Sequence, residues 1–160
     1  IRRLFYNGDS SMIREASYRD VFDCEEMMRD FHKESGQRDA EYDPQKVRRY
    51  FLQHIDSPKG LALVIEKNGE IVGCFLGNLT RSWFSDAVIA EDSALYVKPE
   101  HRGGMNAMRL LKRYQEWAEE NGAAESWVFV GAEIDTERTA KLFERCGFAK
   151  VGISMRRQHG

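Results

Sequence analysis

Two apolar runs, LALVIE and EIVGCFLGNL, face each other across Asn68-Gly69, and no other feature limits the fold of this chain as tightly. Asn and Gly both accept positive φ, which a two-residue hairpin turn demands, so the runs read as two antiparallel strands. The rest of the chain has to be organised around that pair.

Upstream, MIREA is a short strand. Ser17 with Asp20 three residues later has the spacing of a capping box and opens a helix whose Val21, Cys24, Met28 and Phe31 share one face. After a polar connection, Asp43 as N-cap and Pro44 at the first helical position start a second helix, with Val47, Tyr50, Phe51, His54 and Ile55 on one stripe. Downstream, AVIAEDSALYV reads as a strand. A helix after Gly104 then gathers Ala107, Leu110, Leu111, Tyr114, Trp117 and Ala118 and stops at Asn121-Gly122. ESWVFVG reads as a strand, DTERTAKLFERC as a helix and GFAKVGISMRR as a final strand. The order β-α-α-β-β-β-α-β-α-β describes one α/β domain with a mixed sheet over residues 12–160. Residues 1–11 precede a natural first strand at Met12 and are expected to be either an N-terminal extension outside the domain or a native N-terminal strand.

A length of 160 residues suits one core. Lys and Arg number 24 against 26 Asp and Glu, so the net charge of −2 offers no general field for nucleic acid. No apolar run is long enough for a membrane span. The three cysteines, Cys24, Cys74 and Cys146, are odd in number and far apart, which fits neither a disulfide framework nor a zinc site. His32 and His54 have no second ligand at metal spacing, so no metal is expected. A reducing, cytoplasmic setting follows as the expectation.

The stretch YVKPEHRGGMNAMRLL passes from strand through a basic, glycine-rich turn into a helix. Such a turn can be a plain connector. It can also seat a phosphate, because a helix start offers unpaired N–H groups and the positive end of a dipole.

From Ala94 to Phe148 the sequence resembles the GCN5-related N-acetyltransferase (GNAT) superfamily, whose signature is Arg/Gln-x-x-Gly-x-Gly/Ala after a strand ending in a Val-x-Pro-like phrase. Val97 and Pro99 sit in place, Arg102 takes the basic position and Ala107 the last small one, while Met105 stands at the middle glycine. The phrase LFERCGF puts Phe143 where the family often has a tyrosine, and PEHRGGMNAMRLLKRYQEWA is closest in flavour to small acetyltransferases of phages and prophages. The resemblance implies an acyl-CoA N-acyltransferase fold, with a mostly antiparallel sheet, a splayed central strand pair and flanking helices. It further implies acetyl-CoA as co-substrate and N-acetylation of a primary amine on a small molecule or protein. Its pyrophosphate would lie on the backbone of Arg102, Gly103, Gly104, Met105, Asn106 and Ala107. Its pantetheine arm would lie along Leu95, Tyr96 and Val97, and Phe143 would stand beside it.

For the base, Glu91 and Asp92 are the candidates, on opposite faces of the strand, with Glu91 slightly preferred and Glu133 third. Because Phe143 donates no proton, either Tyr96, Tyr114 or a water would protonate the leaving thiolate, or the thiolate would leave unassisted. Glu34, Asp39, Glu41, Asp43 and Asp86, with Tyr42, Trp83 and Phe84, suit a cationic amine such as a lysine, a polyamine or an aminoglycoside-like compound. The alternatives are a non-catalytic module binding CoA or a partner, and a phage acyltransferase acting on a modified nucleic-acid base. A homodimer is compatible with the resemblance.

Overall fold

The hairpin forms where Asn68-Gly69 requires it, with φ of 51° and 78° at the two turn residues. In the computed structural model, which describes residues 11–36 and 41–159, it is the middle of a five-stranded sheet. The strands are β1 (Ser11–Glu15), β2 (Gly60–Lys67), β3 (Glu70–Arg81), β4 (Val88–Val97) and β5 (Glu125–Trp127). They lie in chain order across the sheet, antiparallel except for the parallel pair β4 and β5. Among the described residues four α-helices cover it: α1 (Val21–Glu34), α2 (Pro44–Asp56), α3 (Asn106–Glu120) and α4 (Thr136–Arg145). Residues 1–10 and Asp39 lie outside the described residues.

Side-chain alternation sorts the sheet between two cores. Leu61, Leu63, Ile65 and Phe75 face Leu110, Leu111 and Tyr114 of α3. Ala62, Val64, Cys74 and Leu76 face Cys24 and Met27 of α1 and Phe51 of α2. Each fully buried large apolar side chain contributes about 1.5–3 kcal/mol relative to exposure. β4 interrupts its own alternation. Leu76 pairs with Ala94 but Gly77 pairs with Asp92, so Ser93 is an extra residue, a β-bulge.

The two last strands depart from expectation. ESWVFVG was expected to be one strand, yet only Glu125–Trp127 pairs. GFAKVGISMRR forms none, and Val151, Ile153 and Met155 are exposed at 73%, 81% and 95%. The two failures have one cause. With β5 ended at Trp127, a following strand has no edge of useful length to pair with, and its alternating apolar residues have no layer to cover.

The entrance to α1 is held by charge. Asp20, buried, accepts the backbone N–H and hydroxyl of Ser17 at 2.7 and 3.0 Å, as the capping spacing anticipates. It also takes both arms of Arg14 at 2.8 and 2.9 Å, while Arg14 Nε donates to Glu66 at 2.8 Å. The Arg14 bonds chiefly, with Ser17 behind them and against the cost of burial, hold the Asp20 carboxyl down at about 2. A depressed carboxylate stabilises the fold above its unfolded pKa, and that stability is lost as pH falls toward the folded value. Asp20→Asn is therefore expected to cost about 2 kcal/mol at pH 7, roughly 4–8 °C in Tm. In thermal melts its deficit against wild type should shrink as the pH is taken from about 4 to about 2.

Candidate active site

β4 and β5 pair for three residues and then separate, and a cleft of about 800 Å³ opens between the free end of β4, the start of α3 and the face of α4. Lys98 N–H bonds Val72 O on the β3 side of the strand. By alternation, the N–H and C=O groups of Leu95 and Val97 point the other way, into the cleft. Arg102 Nε takes Val97 O at 2.7 Å.

The turn that follows delivers a helix start to the same place. Gly103 adopts φ of 86°, a conformation that side chains resist, and α3 begins at Asn106 with no side-chain cap. Its first N–H groups thus have no intrahelical acceptor and meet the cleft at Asn106, Ala107 and Met108. α4 supplies positive charge opposite. A Cβ built on Gly103 would lie 3.6 Å from Arg138 Nη2. Arg138, Lys141 and Arg145 share one helix face along the cleft and pair with no carboxylate among the described residues. Sequence reasoning missed these three, although their spacing of three and then four in TERTAKLFER was a readable signal.

Nine of the ten residues expected to hold the cofactor line this cleft: Leu95, Tyr96 and Val97 on β4, Arg102 through Gly104 and Asn106 with Ala107 at the turn, and Phe143 on α4. Met105 does not line it and is 61% exposed. Arg102 has a second engagement. Its two terminal nitrogens reach both oxygens of Glu34 at 2.9 and 3.1 Å, and its guanidinium lies 5.1 Å from the centre of the Tyr96 ring. Tyr96 OH also donates to Glu34, at 2.5 Å. Burial works against the Glu34 carboxylate, but Arg102 and Tyr96 together hold it below its ordinary range. Glu34 is thus committed to closing the end of α1 on the turn.

Of the proposed bases, Asp92 lines the cleft and Glu91 does not. Asp92 turns toward α3, and its carboxyl is pushed up to about 7, by burial first and by the neighbouring Glu91 charge, against the N–H of Phe129 donating at 3.1 Å. Glu133 lines the rim but is half exposed and ion-paired to Arg156 at 2.7 Å. Both tyrosines considered as acids have committed hydroxyls: Tyr96 to Glu34, and Tyr114 to Trp127 O at 2.9 Å. Burial raises both phenols, with Glu34 adding to Tyr96 and Asp92 to Tyr114. Phe143 is buried against Phe148. The Trp83 and Phe84 rings lie 4.0 Å apart, tilted by 38°, and are exposed on the β3–β4 connection, away from the cleft lining. Among the described residues no group of three His, Cys, Asp or Glu is arranged to hold a metal ion, and no helix is long and apolar enough to cross a membrane.

A model of the acetyltransferase (GNAT) family matches residues 23–148. No curated protein sequence matches the chain. Among solved structures it is similar to a ribosomal-protein-alanine N-acetyltransferase from Brucella melitensis biovar Abortus 2308, with a TM-score of 0.70 and 18% identity over 94% of this chain and 99% of that one. It is likewise similar to glucosamine-6-phosphate N-acetyltransferase from Arabidopsis thaliana, with a TM-score of 0.74 and 13% identity over 95% and 100%. A third likeness is to a predicted acetyltransferase with acetyl-CoA from Clostridium acetobutylicum, with a TM-score of 0.74 and 15% identity over 92% and 96%. At these identities the likeness is one of fold.

The raised Asp92 carboxyl has a stability signature of its own. A folded pKa above the unfolded one means that stability present at low pH is lost as pH rises toward about 7. Asp92→Asn should therefore be more stable than wild type at pH 8, by about 2–3 kcal/mol after solvent screening. Urea titrations at pH 8 and at pH 4 test this, and the gain should nearly vanish at the lower pH.

Proposed function

Because the chain belongs to the acetyltransferase (GNAT) family, we propose that this cleft binds acetyl-CoA and passes its acetyl group directly to a primary amine. One observation carries the reading: an uncapped helix start, a row of basic side chains, a freed strand edge and a half-buried carboxyl of raised pKa meet in one cleft. The donor set fits the co-substrate. Main-chain N–H groups at the start of α3, with Arg138 and its neighbours, suit phosphates. The open edge of β4 suits an amide-bearing arm laid alongside as an added strand. Acetyl-CoA supplies the activated thioester.

The chain's own residues supply position and proton transfer. Holding the two reactants together removes much of the barrier. Asp92, at about 7, is basic enough to take a proton from the amine and still substantially ionised at neutral pH. It replaces Glu91 as the preferred base, because Glu91 does not line the cleft. The acceptor is a primary amine whose identity a panel can find: an N-terminal alanyl peptide, glucosamine 6-phosphate, spermidine and kanamycin.

Calorimetric titration with CoA is expected to show binding that weakens at least tenfold in Arg138→Glu. That variant is cleaner than a change at Arg102, which would also release Glu34. Asp92→Asn should keep the CoA affinity but lower amine-dependent thiol release by about 10²–10⁴-fold. In wild type kcat should climb as pH passes through about 7, and that limb should be absent in the variant. A wild-type protein that does not bind CoA would make the glycine turn a connector and overturn the reading.

A further inference from the structure

The acid of the reaction is unaccounted for, since Phe143 has no hydroxyl and the Tyr96 and Tyr114 hydroxyls are bound to protein acceptors. The bulge in β4 presents another protic group. Ser93 follows Asp92 along the strand and so falls on the opposite face, yet both line the cleft. Its hydroxyl donates to Asn78 Oδ1 at 3.0 Å and lies 3.4 Å from His54 Nε2. His54 is buried on α2, and its other nitrogen, Nδ1, lies 2.8 Å from Tyr50 O.

A carbonyl oxygen only accepts, so Nδ1 carries a proton. With the Ser93 hydroxyl directed at Asn78, its oxygen keeps a lone pair that can accept a proton from Nε2, 3.4 Å away. The Tyr50 ring from α2 packs edge-on to the imidazole, Ser93 from β4 stands at Nε2, and Asn78 from β3 stands behind Ser93. Glu91, opposite Asn78 in the β3–β4 register, puts a carboxylate on the same face of the sheet.

We propose that Ser93 and His54 form a two-member relay that delivers the proton to the departing CoA sulfur. This rests on the acetyltransferase reading above. As the C–N bond forms and the C–S bond breaks, the amine proton goes to Asp92. The Ser93 hydroxyl turns from Asn78 and gives its proton to the sulfur, and the Nε2 proton of His54 moves to Ser93 Oγ. The step ends with amide, CoA thiol, neutral His54 and protonated Asp92. Solvent then takes one proton from Asp92 and returns one to His54. Ser93 touches the reacting atoms, and His54 acts through it as a positioning and proton-supplying residue.

The test compares Ser93→Ala, Ser93→Thr and His54→Asn, the last keeping an amide N–H for Tyr50 O. CoA affinity by calorimetry should match wild type in all three. Thiol release from acetyl-CoA, with the best amine of the panel or with hydroxylamine, should fall by about 10²-fold in Ser93→Ala and His54→Asn and be largely restored in Ser93→Thr. The deficit should nearly disappear with a nitrophenyl thioacetate, whose acidic thiol leaves without a proton. Nitrogen NMR of labelled histidine, read without substrate, should show a shift at His54 Nε2 in Ser93→Ala while Nδ1 stays protonated. Equal losses with both donors, Ser93→Thr as slow as Ser93→Ala, or no loss with acetyl-CoA would overturn the relay and leave the acetyltransferase reading standing. Failure of the wild type to bind CoA, or to release thiol with any amine, would overturn both.

Discussion

Everything in the cleft depends on a pairing that stops early. β4 and β5 run parallel for three residue pairs, from Ile89 with Glu125 to Glu91 with Trp127, and then part. Backbone N–H and C=O groups that lose a strand partner still require one. The half of β4 beyond the split therefore satisfies one edge with β3 and turns the other toward the cleft, where Val97 O accepts from Arg102 Nε and the Leu95 groups face open space. The bulge at Ser93 lies at the fork. Adjacent residues there, Asp92 and Ser93, alternate to opposite sides of the strand and both line the cleft.

Two aspartates, Asp20 buried and Asp92 half-buried, show how the same side chain is set to different ends. Asp20 is surrounded by donors, Arg14 and Ser17, and its carboxylate is stabilised far below the ordinary range. Asp92 has one backbone N–H and a like charge next to it, so burial dominates and the proton is held to near neutrality. The first strengthens the joint between β1 and α1. The second weakens the fold at neutral pH, a cost commonly found where a group must exchange protons.

Much of this was legible in the sequence because its signals are local. Asn68-Gly69 specifies a hairpin, Asp43-Pro44 a helix start, and Arg102-Gly103-Gly104 a strand-to-helix turn, each from the chemistry of two or three residues. The early end of β5 and the unpaired 147–159 segment were not legible, since VFV and VGISM have strand composition and only the tertiary partner is missing. The choice between Glu91 and Asp92 depended on which face of β4 borders the cleft, a matter that the phase of the strand and its bulge decide and the residue types do not. Glu34, read as an acceptor-groove acid, turned out to be the partner of Arg102, 68 positions later. His54, read as a packing residue, is buried as that reading requires and also faces a cleft hydroxyl.

The Glu34–Arg102 pair carries a further consequence, for the response to ionic strength. Glu34 is the last residue of α1, where a negative charge opposes the helix dipole, and Arg102 offsets it. Both side chains are 29% exposed, so dissolved ions screen the pair in part. Salt therefore acts on this cleft twice: it weakens attraction between an anionic ligand and the basic face of α4, and it loosens the clasp that holds the glycine turn against α1. Affinity for a phosphate-bearing ligand should consequently fall with salt more steeply than the charges touching that ligand would account for.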